Sequence, residues 1–215
     1  ILLTDGFIAN GSEPWRIPSM KEYPKITPPI VTRAPEGGFQ PYARDEKRLA
    51  RMWALPGTKG VEHRVGGLEK DSLSGAVSHD PENHERMVGL RAAKVARVQD
   101  FIPKQEVVGG RRGELLVVGW GGTYGHLLTA VRELQRRGEQ VSLCHFNFIH
   151  PLPRGVREIF SRFRRIVVCE LNSGQFAGYL RQQFQEFEFL QYNKIQGLPF
   201  TVTELGDEFA RLLKS

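Results

Sequence analysis

Apolar and polar positions alternate on two scales along this chain. In the last half, short apolar runs at Glu114–Gly119, Gln140–Phe146 and Arg165–Glu170 are each followed by a longer segment with apolar residues at helical spacing. The pattern predicts strands in those runs and helices at Thr123–Arg137 (closed by Gly138), Pro153–Phe163, Gly174–Gln185 and Thr203–Lys214, with a weaker strand at Phe187–Tyr192. Strands rich in Val, Leu and Ile that alternate with helices imply a parallel sheet covered on both faces by right-handed crossovers. The expected fold class is therefore α/β, with an open, mainly parallel, doubly wound sheet in residues 104–215.

Upstream the pattern changes. Asp80 directly before Pro81 is an N-cap followed by proline at the first helical position, and Met87, Leu90, Ala93 and Val98 recur at near-helical spacing. A helix is expected from Pro81 to about Phe101, ended by Pro103, within a segment 80–103 that leads into the α/β domain. Residues 18–79 hold Pro18, Pro24, Pro28, Pro29, Pro35, Pro41 and Pro56 together with many glycines, and read as irregular. Tyr23, Arg33, Phe39, Tyr42 and Trp53 are scattered through them, a composition for packing over a surface and not for a disordered tether. Residues 1–17 open on the run Ile1-Leu2-Leu3-Thr4-Asp5, which reads as a buried strand, with a helical turn at Phe7–Asn10 broken by Pro14-Trp15. A buried strand needs neighbours, so a chain extending upstream is expected.

Composition adds limits. A chain of 215 residues can bury a real core, and 40% hydrophobic with 25% charged residues is ordinary for a globular protein. No apolar run is long enough to span a bilayer, so no membrane partner is expected. The net charge is +6, with arginines at 111–112, 136–137, 162 and 164–165. They are scattered and not interleaved with stacking aromatics, which favours solvated helix ends and a face for an acidic partner over nucleic acid. Cys144 and Cys169 lie in apolar runs with no CxxC spacing, which suits a reducing cytoplasm and offers no zinc or iron–sulfur motif.

Candidate chemistry in the α/β region is thin. Gly121, Gly122, Thr123 and Gly125 stand between a strand and a helix, where phosphates bind, but Tyr124 occupies the place of the last glycine in a GxGxxG motif. The strand at 140–146 also ends without the acidic residue of a dinucleotide site. A tight structural turn is the competing explanation. Glu170 ends a strand, and Asn172 or Ser173 stands at the next helix start; ligand binding and helix capping both account for them. His145 and His150 have neither metal-pair spacing nor acidic neighbours. No catalytic set can be assembled, and no cofactor is expected within these residues. Upstream, His63, Arg64, Glu69 and Lys70 flank the flexible pair Gly66-Gly67. His79, His84 and Glu85 at a helix start could be imagined around a metal, but acids belong at a helix N-terminus without one, and no metal is assigned.

Taken in order, these residues are similar to a known family. Thr4-Asp5-Gly6-Phe7-Ile8-Ala9-Asn10-Gly11-Ser12-Glu13-Pro14-Trp15 resembles the close of the pyrimidine-binding domain in alpha subunits of 2-oxoglutarate:ferredoxin oxidoreductases, within the 2-oxoacid:acceptor oxidoreductases. Arg44-Asp45-Glu46 to Pro56-Gly57, then Gly66-Gly67-Leu68-Glu69-Lys70, then His79–His84 followed by Arg91 and Lys94, look like the segment that follows. Gly121–Gly125 and Cys169–Gln175 look like its C-terminal domain, which resembles that of transketolase. Lys70 stands where many relatives carry histidine.

The resemblance implies the C-terminal part of a thiamine diphosphate enzyme that decarboxylates a 2-oxoacid, sends electrons through an iron–sulfur cluster to ferredoxin and makes an acyl-CoA, succinyl-CoA for 2-oxoglutarate. It implies a beta subunit as partner in a homo- or hetero-oligomer, and magnesium with the thiamine. The family's substrate-binding arginine and threonine, thiamine contacts and cluster cysteines fall outside the matching stretch. These residues would then serve mainly as scaffold and subunit contact, inactive alone, with His63, Arg64, Glu69 and Lys70 at the entrance for substrate or CoA. A stand-alone ligand- or anion-binding α/β module using Gly121–Gly125 is the alternative.

Overall fold

The computed structural model describes residues 3, 9–12 and 14–214. Apart from Leu3, the expected opening strand lies outside the described residues, as do Phe7 and Ile8 of the turn after it, whereas Ala9 and Asn10 are helical. The described residues form two compact units, one of residues 14–101 and one of residues 102–214 together with 3 and 9–12.

In the first unit ahead of its helix, local hydrogen bonds replace long elements. Two short strands, β1 (Ile30–Val31) and β2 (Trp53–Ala54), pair in parallel. Between them the Asp45 carboxylate accepts from the Arg48 N–H at 2.6 Å and the Ala50 N–H at 2.9 Å, closing a turn that sets Arg44 opposite Arg51. Asp71 does the same for Leu73 and Ser74 and brings Lys70 opposite Val77. Asx turns of this kind let a proline-rich segment hold shape without regular structure.

Helix α1 (Pro81–Ala96) begins where the cap requires: Asp80 accepts from the Glu82 and Asn83 N–H groups, both at 3.2 Å. It is shorter than expected. The chain tightens into a 3-10 turn at Arg97–Asp100 ahead of Ile102, which Pro103 keeps out of helical conformation. α1 belongs to this first unit. Its buried Asn83 donates to the Lys70 carbonyl at 2.9 Å and accepts from the Ser72 N–H at 3.1 Å, tying the helix start to the preceding turn.

The second unit is a four-stranded sheet of β3 (Gly113–Trp120), β4 (Val141–Phe146), β5 (Phe163–Glu170) and β6 (Leu190–Asn193). All neighbours are parallel, in the order β4-β3-β5-β6. Helices α2 (Tyr124–Arg136) and α5 (Val202–Lys214) cover one face, where Leu115, Val117, Val167 and Cys169 point. Helices α3 (Val156–Phe160) and α4 (Gln175–Gln183) cover the other, where Leu116, Val118, Ile166 and Val168 point. Alternate residues of one strand thus feed two cores, which is why its sequence is apolar without interruption. On α2, Leu127, Ala130, Val131 and Leu134 are the buried stripe, at the spacing of one helical face.

Two elements of this unit also differ from expectation. α3 spans only Val156–Phe160, because Gly155 enters it at φ +88° and β5 already begins at Phe163. β6 runs Leu190–Asn193 instead of 187–192: Phe187 and Phe189 turn into the core, 5.8 and 5.3 Å from the Phe160 ring.

Candidate functional site

A doubly wound sheet binds ligands beyond its strand C-termini, at the point where successive connections leave for opposite faces. Here that point lies between β3, which leads to α2, and β5, which leads to α4. It is filled by the protein itself. Glu170, 0% exposed, accepts from the Trp120 indole N–H at 3.1 Å and from the Phe176 and Ala177 backbone N–H groups at 2.9 and 3.0 Å. Asn172 Oδ1 accepts from the Gly174 and Gln175 N–H groups at 2.7 and 3.1 Å. Internal carboxylate and amide oxygens therefore serve the N-terminus of α4. Ser173 is exposed beside them.

The Gly121–Gly125 turn is a 3-10 turn running into α2. Thr123 is buried and donates its hydroxyl to the Trp120 carbonyl at 2.9 Å. Close packing at this turn depends on Gly119: a Cβ there would stand 2.2 Å from Leu127 Cδ1, whereas one at Gly121, Gly122 or Gly125 would meet nothing within 4 Å. His145 lies at the end of β4 with its ring 4.9 Å from Tyr124, and burial holds its pKa below the usual histidine value. Cys144 and Cys169 face opposite cores, so the pair cannot share a metal or cluster, and burial raises both thiol pKa values.

The other concentration of chemistry lies in the first unit. A cavity of about 490 Å³ is walled by Tyr42, Arg44 and Arg51 on one side, the Gly66–Lys70 loop on a second, and Met87, Arg91 and Lys94 of α1 on a third. Arg51 lies 4.1 Å from the centre of the Tyr42 ring. Arg44 donates to the Tyr42 and Ser72 carbonyls at 3.0 and 3.4 Å. Burial, and then the neighbouring Arg51 and Arg91 guanidiniums, push its pKa below the usual arginine value. Lys70 is 2% exposed, its ammonium donating to the Gly66 and Leu68 carbonyls at 3.1 and 2.5 Å. Glu69 stands 2.7 Å from His84 Nδ1 and 3.3 Å from Arg91, and those bonds hold its carboxyl below the ordinary glutamate range.

The structure thus separates the residues that the sequence groups. Glu69 and Lys70 line this cavity, while His63 lines a second one of about 480 Å³ beside Trp53 and Val61, with Nδ1 2.9 Å from the Val61 carbonyl. Arg64 is exposed and lines neither. His84 is bound to Glu69, and among the described residues no group of three His, Cys, Asp or Glu side chains could hold a metal ion. Arg44, Arg51 and Tyr42 as cavity walls escape a sequence reading. Arg91 and Lys94, three apart on one helix, and the glycine pair beside Glu69 and Lys70 are the local signals.

No family model matches the chain. The 2-oxoglutarate oxidoreductase subunit KorA of Mycobacterium tuberculosis is 43% identical over 207 residues, 96% of this chain. The chain belongs to the family of 2-oxoacid oxidoreductase alpha subunits. A second member, the alpha subunit of 2-oxoacid:ferredoxin oxidoreductase 1 of Aeropyrum pernix, is 28% identical over 80% of the chain. The 2-oxoglutarate:ferredoxin oxidoreductase of Magnetococcus marinus, solved with 2-oxoglutarate, coenzyme A and succinyl-CoA bound, superposes with a TM-score of 0.76 at 26% identity over 83% of the chain. The chain spans 31% and 27% of the lengths of these two relatives and 31% of the solved chain. The match at 96% coverage takes in both units, so the cation-lined cavity lies in a part of the sequence that aligns with KorA.

Proposed function

We propose that the full-length protein is the alpha subunit of a 2-oxoglutarate:ferredoxin oxidoreductase that works with a beta subunit in the cytoplasm. The observation that carries this reading is the 43% identity to a 2-oxoglutarate oxidoreductase subunit across 96% of the chain. The overall reaction is oxidative decarboxylation. 2-Oxoglutarate loses CO2, its acyl carbon forms a thioester with CoA to give succinyl-CoA, and two ferredoxins each take one electron as one proton is released. Thiamine diphosphate with magnesium supplies the carbanion chemistry that such a decarboxylation needs, and an iron–sulfur cluster supplies the path for single electrons.

The residues described here do not suit those groups. Cys144 and Cys169 are on opposite faces of the sheet, and Glu170 fills the crevice at the strand ends. The contribution of this part is scaffolding, contact with the beta subunit and, through the 57–85 segment with His63, Arg64, Glu69 and Lys70, the entrance for CoA or substrate. Two cavities lined partly by those residues support that last role.

The test is an assay of the full-length chain co-expressed with its partner subunit, following 2-oxoglutarate- and CoA-dependent reduction of a viologen dye, with pyruvate as control. Reduction with 2-oxoglutarate is expected. Reduction with pyruvate alone would keep the family and overturn the substrate. No reduction with any 2-oxoacid, from a complex that holds thiamine and iron, would overturn the activity.

A further inference from the structure

The cavity beside α1 carries a charge imbalance that the polypeptide does not correct. Lys70 is 2% exposed and its ammonium is bonded to two carbonyls, which solvate a charge without neutralising it. A buried charge with no counter-charge is strongly destabilising. Arg44 is bonded to carbonyls and to Met87 Sδ, and Arg51 is stacked on Tyr42. Among the described residues no carboxylate forms an ion pair with Arg44, Arg51, Lys70 or Lys94. Among the described residues Glu69 is the only acid in the walls, and it is already shared by Arg91 and His84. Four cations without a counter-charge facing one cavity is the composition of an anion site.

Size and donor type narrow the anion. One carboxylate carries one charge and would leave most of these cations unanswered. A diphosphate brings several charges and many acceptor oxygens, which suits two guanidinium forks and two ammonium groups. A cavity of about 490 Å³ has room for more than a single carboxylate. Its rim is bare backbone: a Cβ on Gly66 or Gly67 would meet no atom within 4 Å.

We propose that this cavity binds the phosphate-bearing end of a phosphorylated ligand, held by Arg44, Arg51 and Lys94 above the buried charge of Lys70. Two sources share that chemistry, the diphosphate of CoA and a free diphosphate such as a nucleotide. Only the CoA assignment rests on the activity proposed above.

The experiment titrates inorganic pyrophosphate calorimetrically into the complex of the full-length chain with its partner subunit, in wild type, Arg44→Ala and Lys94→Gln. Saturable binding is expected, weakened about tenfold or more in each variant, as loss of a charge-assisted contact implies. Lys94 is exposed and forms no ion pair among the described residues, so its variant keeps the test valid if Arg44→Ala fails to fold. Abolition of pyrophosphate binding by saturating CoA would identify CoA as the ligand, and undiminished binding would identify a free diphosphate. Equal pyrophosphate affinity in wild type and Lys94→Gln, or no binding at millimolar concentration, would overturn the site. Dye reduction on the same preparation is independent: its absence with intact pyrophosphate binding would remove the proposed activity and leave the site.

Discussion

The Trp120 indole N–H donates to the Glu170 carboxylate at 3.1 Å, joining the C-terminal ends of β3 and β5. The same carboxylate caps α4 through the Phe176 and Ala177 N–H groups. One buried side chain therefore closes the crevice where a sheet of this type would otherwise take a ligand. It also fixes the direction in which α4 leaves the sheet.

Glu170→Gln should destabilise the α/β unit, because the amide turns an acceptor into a donor among three N–H groups that all need acceptors. Hydrogen bonds to a charged group contribute about 1.5–3 kcal/mol each, and a loss of roughly 2–4 kcal/mol is expected. Urea unfolding of the full-length chain would measure it. An unchanged midpoint would mean that water or a neighbouring side chain replaces the carboxylate.

Gly119→Ala should be costly although the change is one methyl. Its Cβ would approach Leu127 Cδ1 to 2.2 Å and Thr123 Oγ1 to 2.9 Å, so these buried side chains or the α2 start that carries them must shift. Overpacking of this kind costs about 1–3 kcal/mol. Leu127→Ala is destabilising alone, but the double variant should be more stable than the sum of the two single effects implies. Additive losses would show that the clash is relieved elsewhere.

The sheet was legible because its signal is local. Leu115–Val118 and Ile166–Cys169 are apolar at every position, the mark of strands covered on both faces, and Gly138 and Asp80 announce helix ends. What escaped is long-range. Phe187 and Phe189 read as strand by composition, yet the Phe160 ring draws them into the core and moves β6 onward. The cavity walls at Arg44, Arg51 and Lys94 come together through two Asx turns and a helix, and no spacing rule joins residues so far apart. Glu69 and Lys70 could be singled out because they stand beside a glycine pair. That His63 and Arg64 would part from them depended on backbone paths with no sequence period.

Cys144 and Cys169 should not react with a thiol reagent in the native protein at mildly alkaline pH. Both are 0% exposed, and burial raises their pKa values, so neither accessible surface nor thiolate is available. Both should react once denaturant unfolds the α/β unit. A rapid native reaction at either cysteine would require local opening of its core.

Asn83→Ala should loosen the start of α1 from the Lys70–Ser72 turn. The side chain both accepts from the Ser72 N–H and donates to the Lys70 carbonyl, and its removal strands two buried backbone groups. A loss of about 1–3 kcal/mol is expected for leaving such groups unsatisfied. Hydrogen exchange localises the effect: the Ser72 amide should exchange faster, while amides of β3 and β5 should be unaffected.

Asp71 sets the acid limit of that turn. Its carboxylate accepts from the Ser74 N–H at 2.8 Å, the Ser74 hydroxyl at 2.7 Å and the Leu73 N–H at 3.1 Å, and these bonds lower its pKa from 3.8 to about 2. A depressed carboxyl contributes stability that is complete above the unfolded value of 3.8 and lost as pH falls through about 2. Asp71→Asn should therefore be less stable than wild type by a constant amount at neutral pH, with the difference shrinking through that acid window. A carbon-detected titration of the Asp71 carboxyl should place its midpoint below that of an ordinary aspartate. A midpoint at the ordinary value would mean that the three donors do not hold the carboxylate in solution.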